Sequence, residues 1–236
     1  MTRFVLNTAA RFIHRSMGRE GQPLVVIDDV LQDPQTLVDH ACALSFSPPP
    51  GGYYPGLNAE LPLDYVTGLT TGLRPLLEQV FGLPAARPVD LSGYFGLATQ
   101  AAEALQPVQT LPHHDSTDPR QLAIVHYLAR GAQGGTGFYR QNATGFESVD
   151  SARQPAYAAA CAEQLAHSDA LTLHVGPQTP GYTQIDASEA LFNRLIVYRT
   201  TSLHSGLLEA SSLTNDPATG RLTANVFVRL SSRAHV

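Results

Sequence analysis

Apolar positions follow two rhythms along the chain, helical first and then strand-like. Phe4 to Ile13 is strand-like, Gly18 and Gly21 mark a turn, and the apolar run Pro23 to Ile27 predicts a buried strand. Asp33 is placed to cap a helix with Pro34 as its first residue, and Leu37, Val38 and Ala41 keep helical spacing. Tyr65 to Phe81 predicts a second helix behind Asp64 as N-cap, with Val66, Leu69, Leu73, Leu76, Leu77 and Val80 on one stripe. Pro75 inside that stripe predicts a kink or a break.

Beyond Pro88 the pattern changes to short β-type runs separated by turn clusters. They are Val89 to Leu97, Val108 to Leu111, Gln121 to Leu128, Thr136 to Tyr139, Tyr182 to Ile185, Leu191 to Tyr198 and Arg221 to Leu230. One helical stretch, Ser151 to His167, interrupts them. Helices followed by about seven short strands predict a mainly β fold with flanking helices, a sandwich or barrel supported by N-terminal helices. No linker divides the chain, so residues 1–236 are expected to form one domain.

Composition narrows the chemistry. All 15 basic residues are Arg, which excludes a Schiff-base lysine and a P-loop lysine. A net charge of −5 argues against a broad basic face for nucleic acid. Cys42 and Cys161 are too few for a disulfide framework or a Cys-rich zinc site. No apolar run approaches a membrane span, and no signal-peptide core is present, so a cytoplasmic protein is expected.

Three residues draw attention as metal ligands. In a strand or its continuation, positions i and i+2 face the same side, so His113 and Asp115 present an imidazole and a carboxylate to one point. His204 follows an apolar strand, from which a turn brings it back to that point. Two His and one carboxylate form the facial set of non-haem Fe(II) sites. With nine His in the chain, about half a His-x-Asp pair is expected by chance, so the motif needs context.

The context is Arg120-Gln-Leu-Ala-Ile-Val-His-Tyr127-Leu128, then Gly134-Gly135-Thr136-Gly137-Phe138, then Tyr198-Arg-Thr-Thr-Ser-Leu-His204 and Gly220-Arg221-Leu-Thr223. Here the chain resembles the Fe(II)/2-oxoglutarate-dependent dioxygenases, in their prolyl-4-hydroxylase-like branch, over roughly Val89 to Leu230. The Gly-Gly pair runs directly into Thr136, and the insertion Gly145 to Pro180 is long; both depart from the family pattern. The resemblance implies a double-stranded β-helix, a jelly-roll of cupin-like type. It implies Fe(II) held by His113, Asp115 and His204, with 2-oxoglutarate and O2 as cosubstrates and hydroxylation as the reaction. Arg221 would grip the far carboxylate of 2-oxoglutarate, aided by Thr223, with Gln109 and Tyr127 as further cosubstrate contacts. Tyr94 is a further candidate for the pocket, and Tyr53-Tyr54-Pro55-Gly56 reads equally as an aromatic lid loop or as plain packing.

Each residue also has a plainer reading. His113 can be a turn histidine after Pro112, Asp115 a loop or capping residue beside Ser116-Thr117-Asp118, and Arg221 a surface arginine. His114 should face away from His113, and His126 within its apolar strand reads as a satisfied core residue. His167 and His174 fall in the insertion. Two other functions stand beside the first. One is a cupin-like metal protein using Zn or Mn without 2-oxoglutarate, and the other a non-catalytic β-sandwich binding module. The substrate is open between a small molecule and an amino-acid, peptide or protein side chain. A homodimer is also open.

Overall fold

The computed structural model describes residues 3–49, 51, 54–83, 88–131, 134–167, 174–210 and 213–231. Among these described residues, ten strands and three α-helices follow in the order β1 (Arg11–Met17), β2 (Gln22–Asp28), α1 (Gln35–Cys42), β3 (Gly56–Glu60), α2 (Leu63–Val80) and β4 (Pro88–Ala98). Then come β5 (Gln121–Tyr127), β6 (Gly135–Gln141), α3 (Gln154–His167), β7 (Tyr182–Glu189), β8 (Leu195–Arg199), β9 (His204–Leu207) and β10 (Leu222–Leu230).

The strands form two antiparallel sheets, one of seven strands ordered β1-β2-β8-β5-β10-β4-β3 and one of three ordered β7-β6-β9. A single bridge from His113 to His204 extends the smaller sheet beyond β9. From β4 onward the chain passes from the large sheet (β4, β5) to the small one (β6, β7) and then back and forth strand by strand (β8, β9, β10), the winding of a double-stranded β-helix, as the resemblance implied.

The alternation of side chains sorts the core into layers. On β5, Leu122 and Ile124 face α1 and α2, while Ala123, Val125 and Tyr127 face the space between the sheets. β8 divides the same way, with Leu195 and Val197 outward and Ile196 and Tyr198 inward. Apolar on both faces, these strands read as unbroken apolar runs. β10 differs. Its Leu222, Ala224, Val226 and Val228 pack under the helices, and its other face carries Thr223, Asn225 and Phe227. β10, beside the central β5, is thus apolar towards the helices but brings Thr223 and Asn225 as well as Phe227 to the sheet-to-sheet space.

Several sequence expectations are corrected. The first strand begins at Arg11, not Phe4; Phe4 is instead buried against Tyr65 in the helix-side core, while Phe12 and Ile13 lie exposed on β1. Asp33 accepts the Thr36 hydroxyl at 2.7 Å, and with the Thr36 and Gln35 backbone N–H groups this lowers its pKa, as its capping place suggested; Pro34 already has helical angles (φ −67°, ψ −23°). α2 starts behind Pro62, with Asp64 in its first turn. It runs through Pro75 without a break, because Pro75 and Thr71, whose carbonyl loses its donor, both lie on the exposed face where water can replace the bond. Residues 108–111 are not a strand: Pro107–Thr110 is a 3-10 turn. Two strands went unforeseen, β3 in the Pro/Gly-rich region and β9 where a turn was expected.

His126 is a core residue, as its strand position suggested. Its Nδ1 accepts from the Tyr65 hydroxyl at 3.0 Å and its Nε2 donates to Asn193 Oδ1 at 3.2 Å, so the ring is neutral and its tautomer set. Burial pushes its pKa down from 6.5 to about 4. A depressed histidine stabilises the fold fully above the unfolded pKa, and that contribution is lost as pH falls towards the folded value. Urea unfolding should lose about 3 kcal/mol between pH 6.5 and 4 through this one group. The His126→Gln variant, whatever its stability at pH 7, should lack that component; an unchanged pH slope would refute the assignment.

Candidate metal centre

His113 and His204 are neighbours because two backbone hydrogen bonds join them: His113 N–H donates to His204 O at 2.9 Å, and His204 N–H donates to His113 O at 2.8 Å. Asp115 is fixed two residues further on, its N–H donating to Thr200 O at 2.9 Å. His204 opens β9 and pairs there with Phe138 of β6. Three segments distant in sequence are therefore pinned by main-chain bonds before any side chain is considered.

The side chains then converge. His113 Nε2 lies 3.6 Å from Asp115 Oδ1, and His204 Nε2 lies 3.5 Å from Asp115 Oδ2. One ligand atom from each of the three residues falls within 4.8 Å of the others, the one such cluster among the described residues. The His–Asp separations exceed hydrogen-bonding distance, so the atoms surround a point rather than satisfy one another. His204 Nδ1 donates to Ser202 O at 2.9 Å, which leaves Nε2 as a lone-pair donor aimed at the cluster. Burial and the neighbouring His204 and His114 hold the His113 imidazole well below its ordinary pKa, which keeps this ring neutral. Burial raises the Asp115 carboxyl despite the nearby histidines, a cost that a bound cation would relieve. The donor set, two imidazoles and a carboxylate, fits a divalent transition metal. His204 is nearly sealed, but His113 and Asp115 are 27% and 24% exposed, so the cluster is open on one side to further ligands.

That open side faces a cavity of about 170 Å³ between the sheets. Arg221 lines it from the residue before β10 and is buried, with Nη2 donating to Gly135 O at 2.7 Å. Thr223 and Asn225 share its face, as the strand spacing required, and Asn225 Nδ2 donates to Thr223 Oγ1 at 3.0 Å. Arg221's acceptor depends on a backbone that only glycine allows. A Cβ on Gly134, at φ +73°, would lie 1.8 Å from Leu207 O, and one on Gly135 would lie 2.0 Å from Ser188 O.

Two cosubstrate contacts are placed differently from expectation. Tyr127 does not reach the cavity wall; its side chain is buried behind it, and its hydroxyl donates to Thr136 Oγ1 at 2.7 Å. Thr136 is on the wall, and its own proton remains available to donate inward. Gln109 does line the cavity, but from a 3-10 turn rather than a strand, and its Oε1 accepts from Gln106 N–H at 2.7 Å. Tyr94, Tyr54 and Pro55 are on the wall, while Tyr53 lies outside the described residues.

Sequence reasoning missed Thr136, Tyr198 and His174. Tyr198 ends an inward-facing strand register and sits with its ring 4.7 Å from that of His204. His174 returns from the insertion to the cavity, where Nε2 donates to Gln100 O at 3.1 Å. No local signal marks His174, because its position depends on the whole path of the insertion. His114 turns the other way, edge-on to Tyr157 of α3 at 5.3 Å. The Tyr157 hydroxyl donates to Pro112 O at 2.8 Å, so α3 clamps the segment that carries His113. Tyr157→Phe should cost about 1 kcal/mol of stability and lower metal affinity roughly tenfold, measurable by urea unfolding and metal titration.

Comparison with known proteins adds the following. Residues 8–228 match the sequence pattern of a family described as a family of unknown function, DUF6445. No curated protein sequence matches the chain. Among solved structures it is similar to a prolyl-4-hydroxylase of Pseudomonas putida, at 13% identity over 87% of this chain and 91% of that one, with a TM-score of 0.44. HygX of Streptomyces hygroscopicus, solved with nickel, 2-oxoglutarate and hygromycin B, is similar at 13% identity over 87% and 82% of the chains, with a TM-score of 0.49. An N-substituted L-amino acid dioxygenase of Burkholderia ambifaria is similar at 14% identity over 89% and 86%, with a TM-score of 0.41.

Proposed function

The chain belongs to that family of unknown function, and we propose that it is a non-haem Fe(II)- and 2-oxoglutarate-dependent oxygenase that hydroxylates a C–H bond. Its substrate is an amino-acid or peptide side chain or a small molecule, acted on in the cytoplasm by one domain spanning residues 1–236. The observation that carries this reading is that one cavity is lined both by the His113–Asp115–His204 cluster and by buried Arg221. A metal site alone explains the cluster but gives no reason for a buried guanidinium beside it.

Bound by His113, Asp115 and His204, Fe(II) with 2-oxoglutarate and O2 supplies oxidative decarboxylation coupled to C–H oxidation. The chain's own residues prepare that chemistry. Ser202 O holds the His204 tautomer, and Thr200 O holds the Asp115 backbone. A carboxylate in the third ligand position, where halogenation needs room for halide, favours hydroxylation. Arg221 offers a planar fork for the far carboxylate of 2-oxoglutarate and is itself aimed by Gly135 O. Thr136 adds a hydroxyl donor beside it, positioned by Tyr127. Val125, Tyr198 and Phe227 close the cavity against water, which strengthens each polar contact inside.

Anaerobic visible absorption tests the proposal. Addition of Fe(II) and then 2-oxoglutarate to metal-free protein should produce a charge-transfer band that requires both and is absent in His204→Ala. Tight metal binding without the band would point instead to a cupin-like Zn or Mn protein. No metal binding would leave a β-sandwich binding module.

A further inference from the structure

If the cavity holds Fe(II) and 2-oxoglutarate, the space and chemistry left over restrict the substrate. Its volume of about 170 Å³ is close to that of a cavity that takes a single benzene. A five-carbon dicarboxylate on the metal fills most of such a space. The remaining room accepts only the tip of a substrate, and the bulk of the molecule must stay at the mouth.

The wall around that room is uncharged. Among the described lining residues the one acid is Asp115 and the one permanent cation is Arg221, and both are committed to the metal and the cosubstrate. The rest of the wall sets the aromatic and apolar Tyr54, Tyr94, Leu105, Val175, Leu208 and Phe227 beside a few uncharged polar groups and His174, whose Nε2 donates to Gln100 O. Tyr94 stacks on Phe227 with ring centroids 6.0 Å apart and meets Tyr54 edge-on at 6.3 Å, which makes a continuous aromatic wall. Burial raises the pKa of both phenols above their ordinary value, so the wall stays neutral. An ammonium or carboxylate tip would be stripped of water here with no counter-charge left to receive it.

We propose that the group presented to the metal is the uncharged, apolar end of a longer molecule, a short alkyl or aryl terminus. The inference rests on the Fe(II)/2-oxoglutarate reading, and the experiment separates the two. Protein loaded anaerobically with Fe(II) and 2-oxoglutarate is titrated in a calorimeter with three probes of equal backbone: N-acetyl-norleucine amide, N-acetyl-lysine amide and N-acetyl-glutamate amide. The 2-oxoglutarate titration is recorded first, and absence of 2-oxoglutarate binding overturns the cosubstrate reading and this inference with it.

With 2-oxoglutarate bound, the norleucine probe should bind at least about tenfold more tightly than either charged probe. Its heat-capacity change should be negative, the mark of apolar burial. Each methylene removed from its side chain should weaken binding roughly three- to fourfold. Leu105→Asp places a carboxylate on the wall from a half-buried turn and should shift the preference towards the lysine probe, while retained 2-oxoglutarate binding shows the variant to be folded. A charged probe that binds as well as the norleucine probe, or no binding of the norleucine probe, overturns the inference.

Discussion

His204→Ala is expected to lower Fe(II) affinity by more than about 100-fold and to remove 2-oxoglutarate-dependent turnover. Loss of a partner that only orients a ligand already costs 10- to 100-fold, and His204 is itself a ligand in the proposed centre. Its Nδ1 is engaged by Ser202 O, which leaves the Nε2 lone pair for the position it shares with His113 and Asp115. With the ring gone, His113 and Asp115 present two donors to an open space. A readout independent of activity is thermal stability. A metal at one hundred times its dissociation constant stabilises the native protein by about 2.7 kcal/mol, and the variant should show almost none of that gain. His114→Ala is the matched control. That ring lies one residue from His113 but packs on Tyr157, so its loss should leave metal affinity within a few-fold of the parent.

Arg221→Ala is expected to weaken 2-oxoglutarate by about 2–4 kcal/mol, roughly 30- to 900-fold, with metal affinity unchanged. The effect is large because the guanidinium is buried: removal strands a carboxylate in a space that water enters poorly. Arg221→Lys should recover little of this. An ammonium has neither the planar fork for a carboxylate nor the reach to hold Gly135 O at the same time. The measurement is a KM and kcat series in 2-oxoglutarate, with unfolding in urea beside it to separate any loss of stability from the orphaned Gly135 carbonyl. A KM within threefold of the parent would remove Arg221 from the cosubstrate site and weaken the case for an oxygenase.

The chemistry was far more legible than its surroundings. His-x-Asp on an extended segment and Arg221-x-Thr223-x-Asn225 on a strand each state a face, because the strand period of two is a local property of the backbone. Gln109 reaches the cavity by another route than the extended segment expected over residues 108–111, since Pro107 starts a 3-10 turn whose short Gln106–Gln109 bond competes with extension. Tyr127 shows a further limit. Strand alternation correctly turns it between the sheets, yet depth along that face decides whether it touches ligand or backs a residue that does, and here Thr136 stands in front.

The sequence by itself determined the mainly β class with its two early helices, the two-faced apolar strands that make a sandwich, and the residue types able to hold a metal and an anion. These follow from periodicity and side-chain chemistry, which act over a few residues. Tertiary structure closed residue 204 onto the point that residues 113 and 115 face, and it alone decided that α3 braces the segment carrying His113. It also decided that His174 returns from a long insertion to the cavity mouth. Those placements rest on main-chain bonds between segments some 90 residues apart, and on how sheets and helices pack once formed. Such long-range closures leave no periodic mark on the chain.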